Sequence, residues 1–338
     1  MVLCAQVERH KAEAVRRRLL DKGMLDGSYV PARDEEFVYF AVKKRAAGFD
    51  FAQKKLKKRQ EYGKSLEEEL AGKLTASELG ELVKSFDMIG DIAVVEIPAP
   101  LAKKQRLIAS AIMKNHRNIR TVAKKTGGTS GEFRIRPVRV IAGARRTRTI
   151  YREAGCEFEL DLNKTYFSPR LGTERTRIAS LVKPGEKVLV PFAGAGPFAI
   201  RIAKMQAKAN VVGIELNPAA AKYFKSNIKR NRCRNVSAVK GDVARLLPGK
   251  LQGKFDRIAM PLPKDGIHFL KNVLPCLKKG GVLHYYAFGS AVEPFAEAEM
   301  QVMDAALDRG RHAHLLFRRI VRPYSKTTVQ VVIDTKIA

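Results

Sequence analysis

The sequence of 338 residues has no tryptophan, few cysteines and no long hydrophobic run. Its cysteines are Cys4, Cys156, Cys233 and Cys276. They are far apart and form no C-x-x-C pair, which argues against disulfides or a zinc site and predicts buried thiols in a reducing cytoplasm. No apolar run approaches the roughly 20 residues of a membrane span, and the N-terminus acquires charge too early for a secretory signal. We therefore expect a cytoplasmic protein without a membrane partner.

Acidic residues are also scarce relative to basic ones. The chain contains 64 Lys and Arg against 34 Asp and Glu, a formal net charge of +30. A folded chain this basic repels itself, so we expect the charge to serve an anionic partner. Solubility alone needs a net charge of only about 2–8. Nucleic acid is the first candidate for that partner, and an anionic membrane surface is the second.

The pattern of apolar residues divides the chain into modules. Residues 1–58 predict a small α/β module, and residues 59–74 are highly charged and predict a linker. Residues 75–165 predict a second α+β module with several strands and one helix. From 166 to 338, strand-like runs alternate with helical patterns, which predicts a Rossmann-like α/β domain with a mostly parallel, doubly wound sheet. The last two strand-like runs show no clear helix between them and suggest an antiparallel edge.

A glycine turn follows the first strand of this last domain. Gly194, Gly196 and Ala199 fit the pattern G-x-G-x-x-A between an apolar run and a helical pattern. Glycines allow a tight turn and the close approach of a ligand to backbone amides. Pro197 suits the first helical turn, where its missing N–H costs nothing. An ordinary strand-to-helix turn fits the same pattern, so the turn alone assigns no ligand.

Two carboxylates follow the turn at informative positions. Glu215 ends the next strand about 20 residues after Gly194, a spacing at which a carboxylate accepts hydrogen bonds from ribose hydroxyls. Asp242 ends the third strand and can meet the adenine end of the same ligand. Open α/β sheets bind ligands at the carboxyl ends of their strands. We therefore expect an adenosine-containing ligand, for which NAD and S-adenosylmethionine both remain possible.

A longer motif is more specific than the glycine turn. The string "YFSPRLGTERTRI" at residues 166–178, with "GEFRIR" upstream and "DRIAMPLPK" downstream, closely resembles the archaeal and eukaryotic tRNA guanine-37 N1-methyltransferases. The resemblance covers essentially the whole chain. It implies S-adenosylmethionine as cofactor, tRNA as partner, no metal and a monomer. It also implies methyl transfer to N1 of guanine 37, and an N-terminal domain that engages the outer corner of the tRNA.

The resemblance implies roles for individual residues. Glu174 matches the general base, and Arg134 matches the arginine beside the target guanine. Tyr166 and Arg170 match residues near the target nucleotide. The positions implied for the cofactor are Arg175, Phe192, Ala193, Gly194, Gly196, Pro197, Glu215, Leu216, Asp242, Val243 and Pro261.

Elementary chemistry is consistent with these residue types. Guanine N1 carries a proton, which a carboxylate within hydrogen-bond reach can remove. Negative charge then grows on O6, where a fixed guanidinium stabilises it. A plainer interpretation also exists: Glu174 can simply pair with Arg170 or Arg177 near a helix N-terminus.

The chain departs from the family pattern at two places. Pro261 stands where the family commonly has an asparagine, and it offers only a backbone carbonyl to the target guanine. Val190 and Pro191 occupy the region where an acidic residue usually precedes the glycine loop. Two rival functions therefore stay open. One is aminocarboxypropyl transfer from S-adenosylmethionine in wyosine-base synthesis, and the other is catalytically weak RNA binding.

Seven arginines fall between residues 134 and 152. Beside Arg134, we expect Arg136, Arg145, Arg146 and Arg148 to contact the tRNA. Contacts to phosphates mainly position a nucleic acid, and they weaken as salt is added. The alternative is a merely solvated charged face.

Overall fold

The computed structural model describes residues 1–58, 65–128, 131–249 and 251–338. The chain divides into two compact units, Met1–Ala71 and Gly72–Ala338. The first six residues of the predicted charged linker, 59–64, lie outside the described residues. Among the residues described, no helix combines the length and apolarity needed to cross a membrane.

The first unit is built on a four-stranded antiparallel sheet. Its elements are β1 (Val2–Glu8), α1 (Ala12–Asp21), β2 (Ala32–Arg33), β3 (Phe37–Ala41), β4 (Asp50–Lys54) and α2 (Leu66–Leu70). The strand order is β2-β3-β1-β4. Alternate residues of β3, Val38 and Phe40, pack with Leu19 of α1 in the core of this unit, as expected for a sheet with one buried face. Ser65 and Glu68 form a capping box at the start of α2,.

The second unit begins with a small sheet and a separate hairpin. Its first elements are α3 (Ala76–Gly80), β5 (Asp87–Ile89), β6 (Ile92–Val95), α4 (Gln105–Asn115), β7 (Thr121–Lys125), β8 (Val138–Gly143), β9 (Arg148–Glu153) and β10 (Cys156–Asp161). The sheet has the order β5-β6-β7-β8, with β6 and β7 parallel. The strands β9 and β10 form a two-stranded sheet of their own, in antiparallel register.

A seven-stranded sheet forms the rest of the second unit. Its elements are α5 (Gly172–Leu181), β11 (Lys187–Pro191), α6 (Pro197–Met205), β12 (Asn210–Glu215), α7 (Pro218–Arg230), β13 (Val236–Lys240), α8 (Val243–Leu246), β14 (Phe255–Met260), α9 (Ile267–Val273), β15 (Leu277–Ser290), α10 (Ala296–Leu307), β16 (Ala313–Pro323) and β17 (Thr328–Ile337). The order is β13-β12-β11-β14-β15-β17-β16, and the first five strands in that order are parallel. The predicted Rossmann-like fold, preceded by smaller α+β modules, is confirmed.

Both faces of the seven-stranded sheet are buried. Along β11, Val188 and Val190 belong to one core cluster and Leu189 belongs to another. Phe198 of α6 joins the first cluster, and Leu270 of α9 joins the second. This alternation shows that helices cover both faces, as in a doubly wound sheet.

The C-terminal edge differs in part from the sequence prediction. Strands β15 and β17 are antiparallel, but the expectation of no helix between them is wrong, because α10 and then β16 intervene. Strand β16 forms the outer edge. Helix α10 buries Ala298 and Val302 while it exposes Met300 and Met303. Its apolar residues therefore form no single stripe, and the helical periodicity is hidden in the sequence.

Two asparagines attach the β9–β10 hairpin to α7. The Asn227 side chain accepts a hydrogen bond from the N–H of Glu159 at 2.8 Å and donates one to its carbonyl at 3.0 Å. Asn231 makes the same pair of bonds with Glu157, at 2.9 and 2.7 Å. The two side-chain amides thus satisfy backbone groups of β10 as a neighbouring strand would. The hairpin is fixed on the seven-stranded domain by these contacts.

The turn between β11 and α6 depends on close packing against one aromatic ring. Gly196 has a φ of 90° and caps α6, whose first residue is Pro197. A Cβ on Gly196 would lie 2.1 Å from the ring of Phe224, and a Cβ on Gly213 of β12 would lie 2.4 Å from it. Phe224 belongs to α7 and is fully buried. The two glycines therefore allow the turn, the strand and the helix to approach closely.

This packing predicts that Gly196→Ala lowers the free energy of unfolding by about 3 kcal/mol, since backbone strain adds to the overlap with Phe224. The matched control is Gly185→Ala. Gly185 has a similar φ of 84°, but a Cβ added there would meet no atom of the described residues within 4 Å. The control should cost about 1 kcal/mol, from strain alone. Urea denaturation of both variants makes the comparison, and equal losses would contradict the packing role of Gly196.

Candidate active site

The glycine turn is closed by the carboxylate of Glu215. Its Oε2 accepts a hydrogen bond from the N–H of Gly194 at 2.6 Å, and its Oε1 accepts one from the N–H of Asn217 at 2.8 Å. Burial raises the pKa of Glu215 above its ordinary value,. Glu215 therefore links the turn after β11 to the start of α7.

Other residues predicted to bind the cofactor surround this carboxylate. Phe192 adopts a φ of 61° and packs edge-on against Phe269, with ring centres 4.7 Å apart. Ala193 is buried behind the turn, whereas 37% of Leu216 is exposed directly after Glu215. An exposed apolar side chain thus lies next to a half-buried carboxylate.

The neighbouring strand ends carry the remaining predicted positions. Asp242 follows β13 and caps α8, because its Oδ1 accepts a hydrogen bond from the N–H of Ala244 at 2.8 Å. Val243 is buried beneath it. Pro261 directly follows β14 and is half-buried. Apart from Arg175, which belongs to α5, the predicted cofactor positions therefore lie at the carboxyl ends of four adjacent parallel strands.

Residues 164–170, which we call the Tyr166 segment, run beside the glycine turn. The side chain of Asn217 donates a hydrogen bond to the carbonyl of Lys164 at 2.7 Å. The backbone oxygen of Tyr166 lies 3.8 Å from the place that a Cβ on Gly194 would take. Beyond the turn, the same segment lines a cavity of about 390 Å³.

We call this second site the basic cavity. Among the described residues, its charged lining consists of Lys125, Arg136, Arg170 and Arg322 with one acid, Asp87. The Nε of Arg170 donates to the Asp87 carboxylate at 2.8 Å, which neutralises that acid. Tyr166 and Tyr324 also line the cavity and are 41% and 54% exposed. Exposed aromatic rings among cations suit the stacking of a base next to its phosphates.

Glu174 is buried in α5 and does not line the basic cavity. Its Oε2 accepts hydrogen bonds from the hydroxyl of Tyr286 and from Nε of Arg177, both at 3.0 Å. Its Oε1 accepts no hydrogen bond from the described residues, although Nη1 of Arg319 lies 3.2 Å away. The Tyr286 ring packs edge-on against Phe198 of α6, with ring centres 5.8 Å apart. The carboxylate is thus connected to the helix that begins at the glycine turn.

The alternative prediction, that Glu174 simply pairs with Arg170 or Arg177, is confirmed in part. Glu174 pairs with Arg177, as that interpretation required, but Arg170 instead donates to Asp87. Tyr286 and Arg319 add a second and a third partner. A buried ion-pair cluster therefore surrounds the residue that resembles the family's general base.

Arg134 ties two loops together. It adopts a φ of 51°, and its Nη2 donates to the carbonyl of Lys264 at 2.5 Å and to the carboxylate of Asp265. Both partners belong to the loop that begins at Pro261. The structure thus places Arg134 at the loop after β14, which carries the predicted cofactor residue Pro261. Among the described residues, none of the polar partners of Arg134 is Glu174.

Arg175, which the resemblance places at the cofactor, lies in a buried ion pair. Its Nε and Nη2 donate to the two carboxylate oxygens of Glu153 at 2.7 and 2.5 Å. Its Nη1 donates to the carbonyl of Ser168 at 3.2 Å, and its guanidinium lies over the Phe167 ring. Only 1% of the side chain is exposed. Arg175 therefore holds the Tyr166 segment in place through Ser168 and Phe167.

The arginines predicted to contact RNA have different surroundings. Arg136 lines the basic cavity, and Arg145 is exposed. Arg146 and Arg148 each donate to a carboxylate, at 3.0 and 2.5 Å. The Arg148 side chain is nevertheless 66% exposed. A guanidinium has five N–H donors, so an ion-paired arginine at the surface can still contact a phosphate.

Sequence reasoning missed the contribution of the C-terminal strands. Tyr286 of β15 and Arg319 of β16 contact Glu174, and Arg322 and Tyr324 line the basic cavity. Tyr286 is 112 residues away from Glu174 along the chain, so no local motif joins them. The available signal is a tyrosine inside the apolar run of a central strand, where a buried hydroxyl needs a partner.

Three family models match successive parts of the chain. The TRM5/TYW2 methyltransferase domain matches residues 149–311. The TYW2 N-terminal domain matches residues 66–147, and the tRNA methyltransferase 5 N-terminal domain matches residues 4–50. Together these matches extend over most of the chain.

Individual proteins match over the full length. The tRNA (guanine(37)-N(1))-methyltransferase Trm5b of Pyrococcus abyssi is 37% identical over 340 residues, which cover 100% of both chains. The solved complex of aTrm5 and tRNALeu matches with a TM-score of 0.72 and 28% identity, over 99% of this chain and 100% of that one. Methanocaldococcus jannaschii Trm5 in complex with adenosine matches with a TM-score of 0.68 and 27% identity, over 99% of both chains. This chain therefore belongs to the TRM5/TYW2 family of tRNA methyltransferases.

Proposed function

We propose that the chain transfers a methyl group from S-adenosylmethionine to N1 of guanine 37 in tRNA. Full-length similarity to Trm5b of Pyrococcus abyssi supports this assignment. The observation that carries it is the continuity of two sites. The Tyr166 segment borders the glycine turn on one side and lines the basic cavity on the other. One segment thus connects a place for an adenosine group with a place for a nucleotide.

The residues at the glycine turn fit the cofactor. Among the described residues, a Cβ added to Gly194 would meet only the Tyr166 backbone oxygen within 4 Å, so the space above the turn is open. Glu215 would accept hydrogen bonds from the ribose hydroxyls, and Asp242 would lie at the adenine. The exposed Leu216 would contact the apolar face of the ring. S-adenosylmethionine supplies a methyl group on a sulfonium, which is activated for transfer.

The target base must leave its stack to reach such a site. The exposed rings of Tyr166 and Tyr324 would stack with the displaced nucleotide, while Arg136 and Arg322 would neutralise its phosphates,. These contacts hold the guanine in one orientation, which removes much of the entropic part of the barrier.

Glu174 would accept the proton from guanine N1. Its Oε2 already accepts two hydrogen bonds and its Oε1 accepts none from the described residues, so the proton would go to Oε1. Arg134, held in place by Lys264 and Asp265, would stabilise the negative charge that develops on O6,.

Aminocarboxypropyl transfer is the second candidate. The match of residues 66–147 to a TYW2 N-terminal domain favours it. The match of residues 4–50 to a tRNA methyltransferase 5 N-terminal domain favours methyl transfer instead. Both reactions use the same cofactor, but they differ in the acceptor base, which is guanine for methyl transfer and a wyosine-base precursor for aminocarboxypropyl transfer.

The assignment is tested by incubating the purified chain with unmodified tRNA and S-adenosylmethionine. Nucleoside mass spectrometry should then show 1-methylguanosine, and primer extension should stop at position 37. A nucleoside that gains an aminocarboxypropyl group would support the second candidate. Unmodified guanosine at position 37 would contradict methyl transfer to guanine, and the second candidate is then tested on tRNA that already carries the wyosine-base precursor.

The role of Glu174 predicts that Glu174→Gln lowers the single-turnover methylation rate about 100-fold or more, because the amide cannot act as a general base. Affinity for S-adenosylhomocysteine should stay near the wild-type value. Glu299→Gln removes an ion-paired carboxylate from α10 and serves as the matched control. An unchanged rate in Glu174→Gln would show that another group removes the proton.

The half-buried carboxylate of Glu215 predicts a pH-dependent affinity for adenosine ligands. Ionised Glu215 accepts hydrogen bonds, and its protonation removes an acceptor, so affinity should fall on acidification. Because burial raises the pKa of Glu215, the fall should begin at higher pH than an exposed glutamate would give. Calorimetry with methylthioadenosine, which lacks the titratable amino acid part, measures the effect. Glu215→Gln should bind more weakly and lose this pH dependence, and a variant that keeps it would contradict the assignment.

A further inference from the structure

One oxygen of the Glu174 carboxylate is in an unusual environment. Only 2% of the side chain is exposed. Its Oε1 is buried and accepts no hydrogen bond from the described part of the chain, and Nη1 of Arg319 is 3.2 Å away. A buried carboxylate oxygen without a hydrogen bond is costly. Arg319 is therefore the cation that lies beside Oε1 of Glu174 and offsets the charge of this carboxylate.

The other oxygen, Oε2, is held by a rigid network. Arg177 donates to Oε2 and also forms two hydrogen bonds with Asp334, at 2.5 and 3.2 Å. The guanidinium of Arg177 packs over the ring of Phe317. Tyr286 completes this side, and burial raises its pKa well above the ordinary range, so its hydroxyl stays protonated. The Oε2 side thus has little freedom to move.

A buried histidine continues this network behind Asp334. The Nδ1 of His284 lies 2.6 Å from Asp334, and its Nε2 lies 2.8 Å from Nη1 of Arg257. An arginine only donates, so Nε2 is the acceptor and Nδ1 carries the proton that Asp334 accepts. Burial lowers the pKa of His284, which keeps the ring neutral. The charge of Arg177 is therefore balanced by Asp334, and Arg177 offers Glu174 little net positive charge.

The Arg319 side of the carboxylate is different. Arg319 lies on β16, the edge strand, and 38% of its side chain is exposed. Within the described residues, its one ion pair is with Glu174. Its neighbour Arg318 instead pairs with Glu299 and packs over the ring of Phe295. Arg319 is therefore a partly exposed cation at the carboxylate oxygen that receives no hydrogen bond from Arg177 or Tyr286.

We propose that Arg319 is a positioning residue, which holds the Glu174 carboxylate at its Oε1 and covers this oxygen until the target base enters. This inference rests on the proposed function, because it concerns proton removal by Glu174. The charged and titratable groups that face Glu174 are Arg177 from its own helix, Tyr286 from β15 and Arg319 from β16, with Asp334 of β17 behind Arg177. Of these, Arg319 combines solvent access with an ion pair to Glu174 that it shares with no other acid among the described residues.

The inference predicts a slower methylation step with an unchanged demand for tRNA. Without the Arg319 guanidinium, Oε1 of Glu174 loses the one cation that lies beside it among the described residues, so the carboxylate should be less well aligned with the target base,. In Arg319→Gln the single-turnover rate constant at saturating tRNA should therefore fall about tenfold, while the tRNA concentration that gives half the maximal rate stays near the wild-type value. Arg319→Lys retains a cation at this position and should recover most of the rate constant.

The experiment measures single-turnover methylation of a tRNA transcript against tRNA concentration for the wild type, Arg319→Gln, Arg319→Lys and Arg318→Gln. Arg318→Gln removes a guanidinium from the adjacent position of the same strand and should leave the rate constant in place. An unchanged rate constant in Arg319→Gln, or an equal fall in Arg318→Gln, would overturn the inference while the proposed function stands. A wild-type chain that leaves guanine 37 unmethylated would overturn the proposed function, and the inference with it.

Discussion

The proposed chemistry depends on one buried carboxylate, Glu174, that must be held in place away from water. Burying a carboxylate is costly unless nearby cations and hydrogen bonds compensate for the lost water. The structure supplies them from three elements, through Arg177 of α5, Tyr286 of β15 and Arg319 of β16. Loss of one partner from such a cluster leaves the others uncompensated, which makes the cluster sensitive to single substitutions. The site thus requires the strands at the C-terminal edge of the sheet.

A second constraint joins the two halves of the site. The Tyr166 segment is fixed from the turn side by Asn217 and from behind by the buried pair of Arg175 and Glu153. Its open side faces the basic cavity through Tyr166 and Arg170. Because the segment is held on two sides, its position relative to the glycine turn is fixed before any ligand binds. Such preorganisation lowers the cost of aligning two reactants.

The sequence was sufficient to predict the fold and the site wherever the prediction depended on residues that are close together along the chain. Alternating strand and helix patterns predicted the Rossmann-like sheet, and strand ends placed Glu215 next to Gly194, which the 2.6 Å hydrogen bond now joins. Long-range partners left no such signal. Arg175 matched a cofactor position in the family motif, yet its donors go to Glu153, 22 residues earlier on a separate hairpin. Tyr286 and Arg319 were not predicted as partners of Glu174, since strand pairing far along the chain brings them there.

The most direct test of this account is a crystal structure of the full chain with S-adenosylhomocysteine and an unmodified tRNA. The account predicts that guanine 37 is flipped out beside Tyr166, with its N1 within about 3.2 Å of Oε1 of Glu174 and with Arg319 moved aside. Arg134 should then lie within hydrogen-bond distance of O6. A bound guanine that is remote from Glu174, with Arg319 still covering Oε1, would contradict the central claim.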